Sequence, residues 1–310
     1  MKKSRRVFLT QFAVLSATSA IAKPLSRAGL TTKPLKGILP AGRVVTILHT
    51  NDLHGQTGAF LDGAGGLEQI KAVWQNQSQK GLLLDAGGFM AGTKNADKQA
   101  RFIQTMNGMD YVAAGLSPRE LAYGSDYLAG LARAMRFDLV NCNHEFSGPL
   151  SGVVKPYLVV YYNNIKVGIT GVCARLKGFK YAAPLQSANK TASFLKNTEH
   201  CDLVICLSHL GSDNGLLAAQ SRHIDMIVGS GQGNLMRNAQ VLKNTADEDV
   251  VLATAGIKGI TTGMSAFTFD GRAKKTGFQP DFLVARVNPA ENAAIAFERL
   301  RQQKDQLNLV

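Results

Sequence analysis

Only four cysteines occur in 310 residues, Cys142, Cys173, Cys201 and Cys206, and all sit in or beside apolar, strand-like runs. Their spacing fits no zinc signature. So few thiols exclude a small disulfide scaffold. A chain this long builds a core without staples, so buried free thiols are the expectation. No run of five or six basic residues is present. The formal charge of +13 is therefore spread along the chain, which argues against nucleic-acid recognition. No apolar stretch suits a membrane span: the amino-terminal candidate, Phe12 to Ala22, is short and interrupted by Ser and Thr. There is also no internal repeat. Apolar and charged contents of 45% and 18% are ordinary, which bounds the chain to one large α/β domain or two small ones.

What is present begins with an export signature. Met1 to Leu9 is basic, and the following apolar run closes on Ala20-Ile21-Ala22, a small-x-small cleavage pattern. Ser4-Arg5-Arg6-x-Phe8-Leu9 resembles a twin-arginine signal, the route by which bacteria export folded proteins to the periplasm; an ordinary secretory signal with two adjacent arginines is the alternative. Removing residues 1–22 takes away four cations and no acid, leaving 31 Lys and Arg against 22 Asp and Glu, a net of +9. Such a surface attracts anions, phosphates among them. Residues 23–42, with three prolines and three glycines among small and basic residues, read as a tether.

From residue 43 onward strands and helices alternate. Strands are expected at Val44–Leu48, Leu82–Asp85, Tyr111–Ala114, Asp138–Cys142, Leu203–Leu207, Asp225–Val228, Val250–Thr254, Met264–Phe269 and Phe282–Val287. Asn163-Asn164 marks a hairpin turn between Tyr157–Tyr161 and Lys166–Val172. Helices are expected after Gly65-Gly66, with Leu67, Ile70 and Trp74 on one face, and near 98–106, 126–135 and 192–196. A terminal helix starts at Asn288-Pro289-x-Glu291. Polar residues follow several strands at their carboxyl ends, where open α/β sheets place their sites.

The first of these polar strand ends is the most pointed. Val44 to Leu48 leads into Asp52-x-His54, a carboxylate and an imidazole two residues apart, which suit a divalent cation. A solvated strand end with a chance histidine is the alternative. Further along stand Gly65-Gly66-Leu67, Leu83-Leu84-Asp85-Ala86-Gly87, Met106-Asn107-Gly108-Met109-Asp110-Tyr111, Leu203 to Gly211 with Ser208-His209, and Ala255-Gly256-x-x-Gly259.

In that order these pieces resemble the amino-terminal metallophosphoesterase domain of the 5'-nucleotidase family, over about residues 43 to 290. The resemblance implies a single domain, 43–310, with the four-layer α/β/β/α sandwich of calcineurin-like phosphoesterases. It also implies two divalent metals that activate a water for attack on phosphorus. By the match, Asp52, His54 and His209 are metal ligands. The remaining ligand positions depart from the family. Gly87-Gly88 stands where the family has Gly-Asp, so the bridging carboxylate is missing. Ser117-Pro118-Arg119-Glu120 stands for Gly-Asn-His-Glu, so the Asn ligand and the catalytic histidine are replaced. Gly229-Ser230-Gly231-Gln232-Gly233 stands for Gly-His-x-His. Asn143-His144-Glu145 spells the lost motif but lies one helix and one strand too late, and reads as a coincidental loop. Asp85 matches a structural position; Asp213 and His223 lie near kept elements, with His223 expected at a helix end facing water, and His200 has no partner spacing.

Gly88 removes a negative charge and Arg119 adds a positive one. A like-charge pair at ~4 Å costs roughly 4 kcal/mol at an effective dielectric of about 20, so an arginine entering the site would repel a metal or replace it. Arg119 is then expected to pair with Asp52 or to offer its fork to a phosphate; a solvated arginine outside the pocket is the alternative. At most one weakly held divalent metal is expected, with no catalytic residue retained. The implied role is phosphate or nucleotide binding, or service as a subunit. The competing reading is a metal-dependent phosphohydrolase using Asp52, His54 and His209 with non-standard ligands. No carboxy-terminal nucleotidase domain is recognised, so a separate chain is the expected source of one.

Overall fold

The computed structural model describes residues 34–35, 43–61, 63–77, 80–231 and 238–286. The signal and most of the tether, Gln232-Gly233 and the helix expected from Asn288 lie outside them. Within the tether, Pro34–Leu35 forms a two-residue strand, β1.

One sheet is built from β2 (Arg43–Thr50), β3 (Leu82–Asp85), β4 (Tyr111–Gly115), β5 (Asp138–Val140), β7 (Val154–Lys155), β15 (Thr261–Phe269) and β16 (Lys275–Val284), in the order β16-β15-β2-β3-β4-β5-β7. Its members β2, β3, β4, β5 and β7 run parallel, and β15 and β16 close the edge antiparallel. The second sheet has the order β1-β8-β9-β11-β12-β14-β13, from β8 (Tyr157–Tyr162), β9 (Ile165–Cys173), β11 (Leu203–His209), β12 (Met226–Gly229), β13 (Asn238–Lys243) and β14 (Asp249–Thr254). The short strands β6 (His144–Glu145) and β10 (Lys180–Tyr181) pair apart from both sheets. Asn163 and Asn164, both at positive φ, turn the β8–β9 hairpin as expected.

The two sheets face each other because alternate residues of the same strands are apolar on both sides. Leu82, Leu84, Val45, Ile47 and Phe267 meet Leu203, Ile205, Leu207, Met226 and Val228 in the core between the sheets. Leu48 and Leu83 point the other way, under α1 (Leu67–Gln75), α2 (Ala96–Gly108) and α3 (Ser125–Ala132), where Ile70, Trp74, Phe102, Ile103 and Met106 are buried. Val204, Cys206 and Ile227 face outward under α4 (Pro184–Asn197) and α5 (Asn214–Gln220), against Ala192, Leu195 and Leu217. Helices, sheet, sheet, helices: the four layers follow from this alternation. The parallel strands of both sheets run toward one end of the sandwich, and their carboxyl ends deliver Asn51, Asp52, Gly88, Arg119, His209 and Gly231 there.

Candidate functional site

The loop after β2 is held from both sides by its backbone and by Asn51. Asn51 reaches across 204 residues: its Oδ1 accepts from Ala255 N at 2.7 Å and its Nδ2 donates to Ala255 O at 3.1 Å. Asp52 N, His54 N and Gly55 N donate to Gly87 O, Gly88 O and Phe89 O at 3.0, 2.9 and 2.7 Å, so the two loops run side by side. Lys258 N donates to Asp52 O at 2.8 Å. Asp52 and His54 both adopt left-handed φ, +49° and +52°. For non-glycine residues that conformation persists only where the surroundings enforce it, and it concentrates at functional sites.

Asp52 is the meeting point. Its Oδ1 lies 3.2 Å from His209 Nε2 and 3.8 Å from His54 Nε2. Its Oδ2 accepts from Gly231 N at 2.9 Å and from Asn51 Nδ2 at 3.2 Å. Burial alone would push this carboxyl up, but the hydrogen bonds from His209 and Gly231 and the nearby His54 ring outweigh it and hold the group well below the usual carboxylate range. The side chains of His54 and His209 are 24% and 17% exposed, so both open toward solvent at the loop mouth. The structure thus brings together Asp52, His54 and His209, the three residues the sequence points to.

Two glycines close the space beside them. A Cβ on Gly88 would stand 2.7 Å from Asp52 Oδ1 and 3.3 Å from His209 Nε2, and Gly88 has φ +75°. A Cβ on Gly231 would lie 3.1 Å from the His209 ring. Ser230 is buried and donates to Gly87 O at 3.3 Å. Among the described residues no group of three or more His, Cys, Asp or Glu is disposed to hold a metal ion.

Glu120 is a site residue that sequence reasoning missed. Its carboxylate, 1% exposed, accepts from Gly88 N at 3.2 Å, Met90 N at 3.1 Å, Ser117 N at 2.8 Å and Ser117 Oγ at 2.7 Å. It fixes the loop carrying Gly88 against the loop carrying Arg119. Three of its four donors are backbone amides, and no sequence pattern announces those. Asp85 is the second buried carboxyl, bonded to Thr50 Oγ1 at 2.6 Å and Gly87 N at 2.8 Å. Burial raises it well above its ordinary value, and its two hydrogen bonds anchor the end of β3. This agrees with its reading as structural.

Arg119 does not pair with Asp52, which corrects one of the two roles expected of it. Asp52 is already satisfied by imidazoles and amides. Among the described residues Arg119 has no carboxylate within ion-pair distance. It is half-buried, and its guanidinium packs over the loop after β3, where a Cβ on Gly92 would stand 3.2 Å from Nη1.

The other candidates fall elsewhere. Among the described residues Asn143-His144-Glu145 makes no hydrogen bond to Asp52: Asn143 bonds Cys173 N and O, and His144 Nε2 accepts from Leu176 N at 3.1 Å. All four cysteines are free thiols. Burial pushes Cys173 up to about 12, so it is no nucleophile. His200 and Asp213 are exposed and His223 is half-buried in the turn before β12.

No known protein-family profile matches the chain. Curated relatives do. The trifunctional nucleotide phosphoesterase protein YfkN of Bacillus subtilis is 24% identical over 306 residues, 84% of this chain and 20% of that protein. The snake venom 5'-nucleotidase of Naja atra is 27% identical over 60% of this chain and 40% of its own length. The chain therefore spans well under half the length of these relatives. Among solved structures, the 5'-nucleotidase precursor of Thermus thermophilus superposes with a TM-score of 0.71 at 24% identity, covering 86% of this chain and 59% of that one. The calcineurin-like phosphoesterase YfkN of Bacillus subtilis gives 0.64 at 18% identity, covering 86% and 98%. The homologues and structural neighbours of the chain are the amino-terminal domains of 5'-nucleotidases and calcineurin-like phosphoesterases, and their fold is its fold.

Proposed function

We propose that the chain is a phosphate- or nucleotide-binding member of this phosphoesterase group that has given up its dinuclear metal centre. The observation that carries the reading is the state of Asp52. Among the described residues it is the one carboxylate at the convergence point, and both its oxygens already accept hydrogen bonds, Oδ1 from His209 and Oδ2 from Gly231 N and Asn51, with the His54 ring 3.8 Å away. Two divalent cations need several anionic ligands, and this donor set does not fit them. The Gly88 backbone leaves no room for a bridging carboxylate. Without metals, the site retains what an anion needs. The half-buried Arg119 offers five N–H donors in a fork that matches phosphate, and the side chains of His54 and His209 beside Asp52 are partly open to solvent.

The test is calorimetric titration of the full chain with AMP and with inorganic phosphate in excess EDTA. Binding is expected without metal, and Arg119→Ala is expected to weaken it about tenfold, the value of one charge-assisted contact. Binding that appears only with divalent metal would overturn the reading. It would favour instead a one-metal phosphohydrolase on Asp52, His54 and His209, whose convergence is its support.

Export by the twin-arginine route to the periplasm belongs to the same proposal, carried by Ser4-Arg5-Arg6 and Ala20-Ile21-Ala22. The mature chain is then expected to begin at Lys23; amino-terminal sequencing of periplasmic protein checks it, and an intact Met1 refutes it. Among the described residues no helix is long and apolar enough to cross a membrane.

A further inference from the structure

The motif left unused by the Asp52 site lies in a second cleft. It forms where the loop between β5 and β6, the start of β8, strand β10 and helix α4 meet, and it encloses about 660 Å³. That is the size of small-molecule sites. It shares no lining residue with the Asp52 cluster.

Its walls are aromatic and partly uncovered. Among the described residues five large apolar side chains are exposed, and two of them, Tyr181 and Phe194 at 37% each, line this cleft. Both rings are held by neighbours while they stay open to the cleft. Phe194 packs on Tyr157 at 5.3 Å between centroids. Tyr181 lies 5.1 Å from the His144 ring and under the Arg175 guanidinium at 5.4 Å. Aromatic faces positioned in this way suit a stacked planar ligand.

The charge of the cleft has one sign to spare. Lys180 is paired with Glu145 at 2.9 Å. Lys190, exposed on α4, has no carboxylate within ion-pair distance among the described residues. His144 adds no charge near neutral pH, since burial and Arg175 hold it down to about 4. Its ring nitrogens are spent on Leu176 N and Asn141 Oδ1, so it serves as a fixed floor.

We propose that this cleft binds a small planar aromatic anion, with its ring against Tyr181 and Phe194 and its charge toward Lys190. This site is independent of the reading of Asp52 and Arg119.

The experiment is a fluorescence titration of the full chain with 8-anilinonaphthalene-1-sulfonate, alongside its uncharged analogue N-phenyl-1-naphthylamine. Saturable binding of the sulfonate is expected. Lys190→Glu should weaken the sulfonate about tenfold, equivalent to about 1.4 kcal/mol, and leave the uncharged probe unaffected. Phe194→Ala should weaken both probes. Lys98→Glu, the same charge change on the exposed face of α2, should alter neither. Lys190→Glu changes only an exposed side chain, so its result stands even if Phe194→Ala fails to fold. The proposal is overturned if the wild-type chain shows no saturable binding, if Lys190→Glu binds the sulfonate as the wild type does, or if Lys98→Glu weakens it equally.

Discussion

Asp52 keeps three donors on its carboxylate, whereas three residues earlier His49 has none. The His49 ring is fully buried between the sheets, meets Phe282 edge-on at 6.1 Å, and neither ring nitrogen has a hydrogen-bond partner. Burial holds its pKa down to about 3 from 6.5. Above pH 6.5 it is neutral in both states. Below it the unfolded chain binds a proton that the folded chain refuses, so stability falls by about 1.4 kcal/mol per pH unit until about pH 3. His49→Leu removes both the unpaired nitrogens and this proton linkage. It is expected to stabilise the chain by about 1–2 kcal/mol at pH 7 and to flatten the slope between pH 6 and 4 in urea melts. An unchanged slope would show that another group drives it. Asp52→Ala does the reverse, stranding Gly231 N, Asn51 and His209. A loss of about 2–4 kcal/mol is expected in urea melts run in EDTA, where metal plays no part. Neither effect could be read from the sequence. Asp52-x-His54 shows as a donor pair, but the Gly231 amide that answers it lies 179 residues away, and nothing in Leu48-His49-Thr50 marks the ring as unpartnered.

At the scale of elements, His49 also explains a pairing. Gly263 on β15 is its cross-strand partner, and a Cβ there would stand 1.9 Å from His49 Nε2. Gly263→Ala is therefore expected to cost more than about 3 kcal/mol alone and far less in a His49→Ala background. Additive losses in the double mutant would contradict the packing. The elements themselves were legible where apolar residues alternate or run continuously, as in β2, β3, β9 and β11. They were not legible where burial is one-sided or the strand lies at an edge. β13, with Gln240, Val241 and Lys243 outward, was missed. β16 starts at Lys275, not near Phe282, because an exposed antiparallel edge tolerates polar residues and Pro280. α4 begins at Pro184, eight residues before the expected start; the proline at its first position was the signal, masked by a polar first half.

For the molecule as a whole, polar ties between the two sheets lie at both ends of the sandwich. At one end Asp52 and the Ser230–Gly87 bond join them. At the other, Asp225 at the start of β12 reaches Lys275 of β16 at 2.5 Å, Lys196 of α4 at 3.0 Å and Val204 N at 2.9 Å. Burial would raise Asp225, but the two lysines pull it below its ordinary value. Its contribution is therefore present above about pH 4 and is lost as pH falls through the lowered pKa. Lys275→Met is expected to cost about 1–3 kcal/mol at pH 7 and to reduce the acid sensitivity below pH 4. A melt unchanged at both pH values would refute the tie. The fold was readable because every layer repeats the same alternation. The state of the site was readable only as substitutions at Gly88, Arg119 and Ser230, since the closing of glycines and amides around Asp52 is a matter of backbone geometry.

Metal content decides the central claim most directly. The full chain, purified from its native host without chelator and dialysed, is measured for divalent metal per polypeptide by plasma mass spectrometry. A site in which Asp52 is satisfied by imidazoles and amides predicts content well below one equivalent. Two equivalents that survive dialysis and disappear with Asp52→Ala would contradict it.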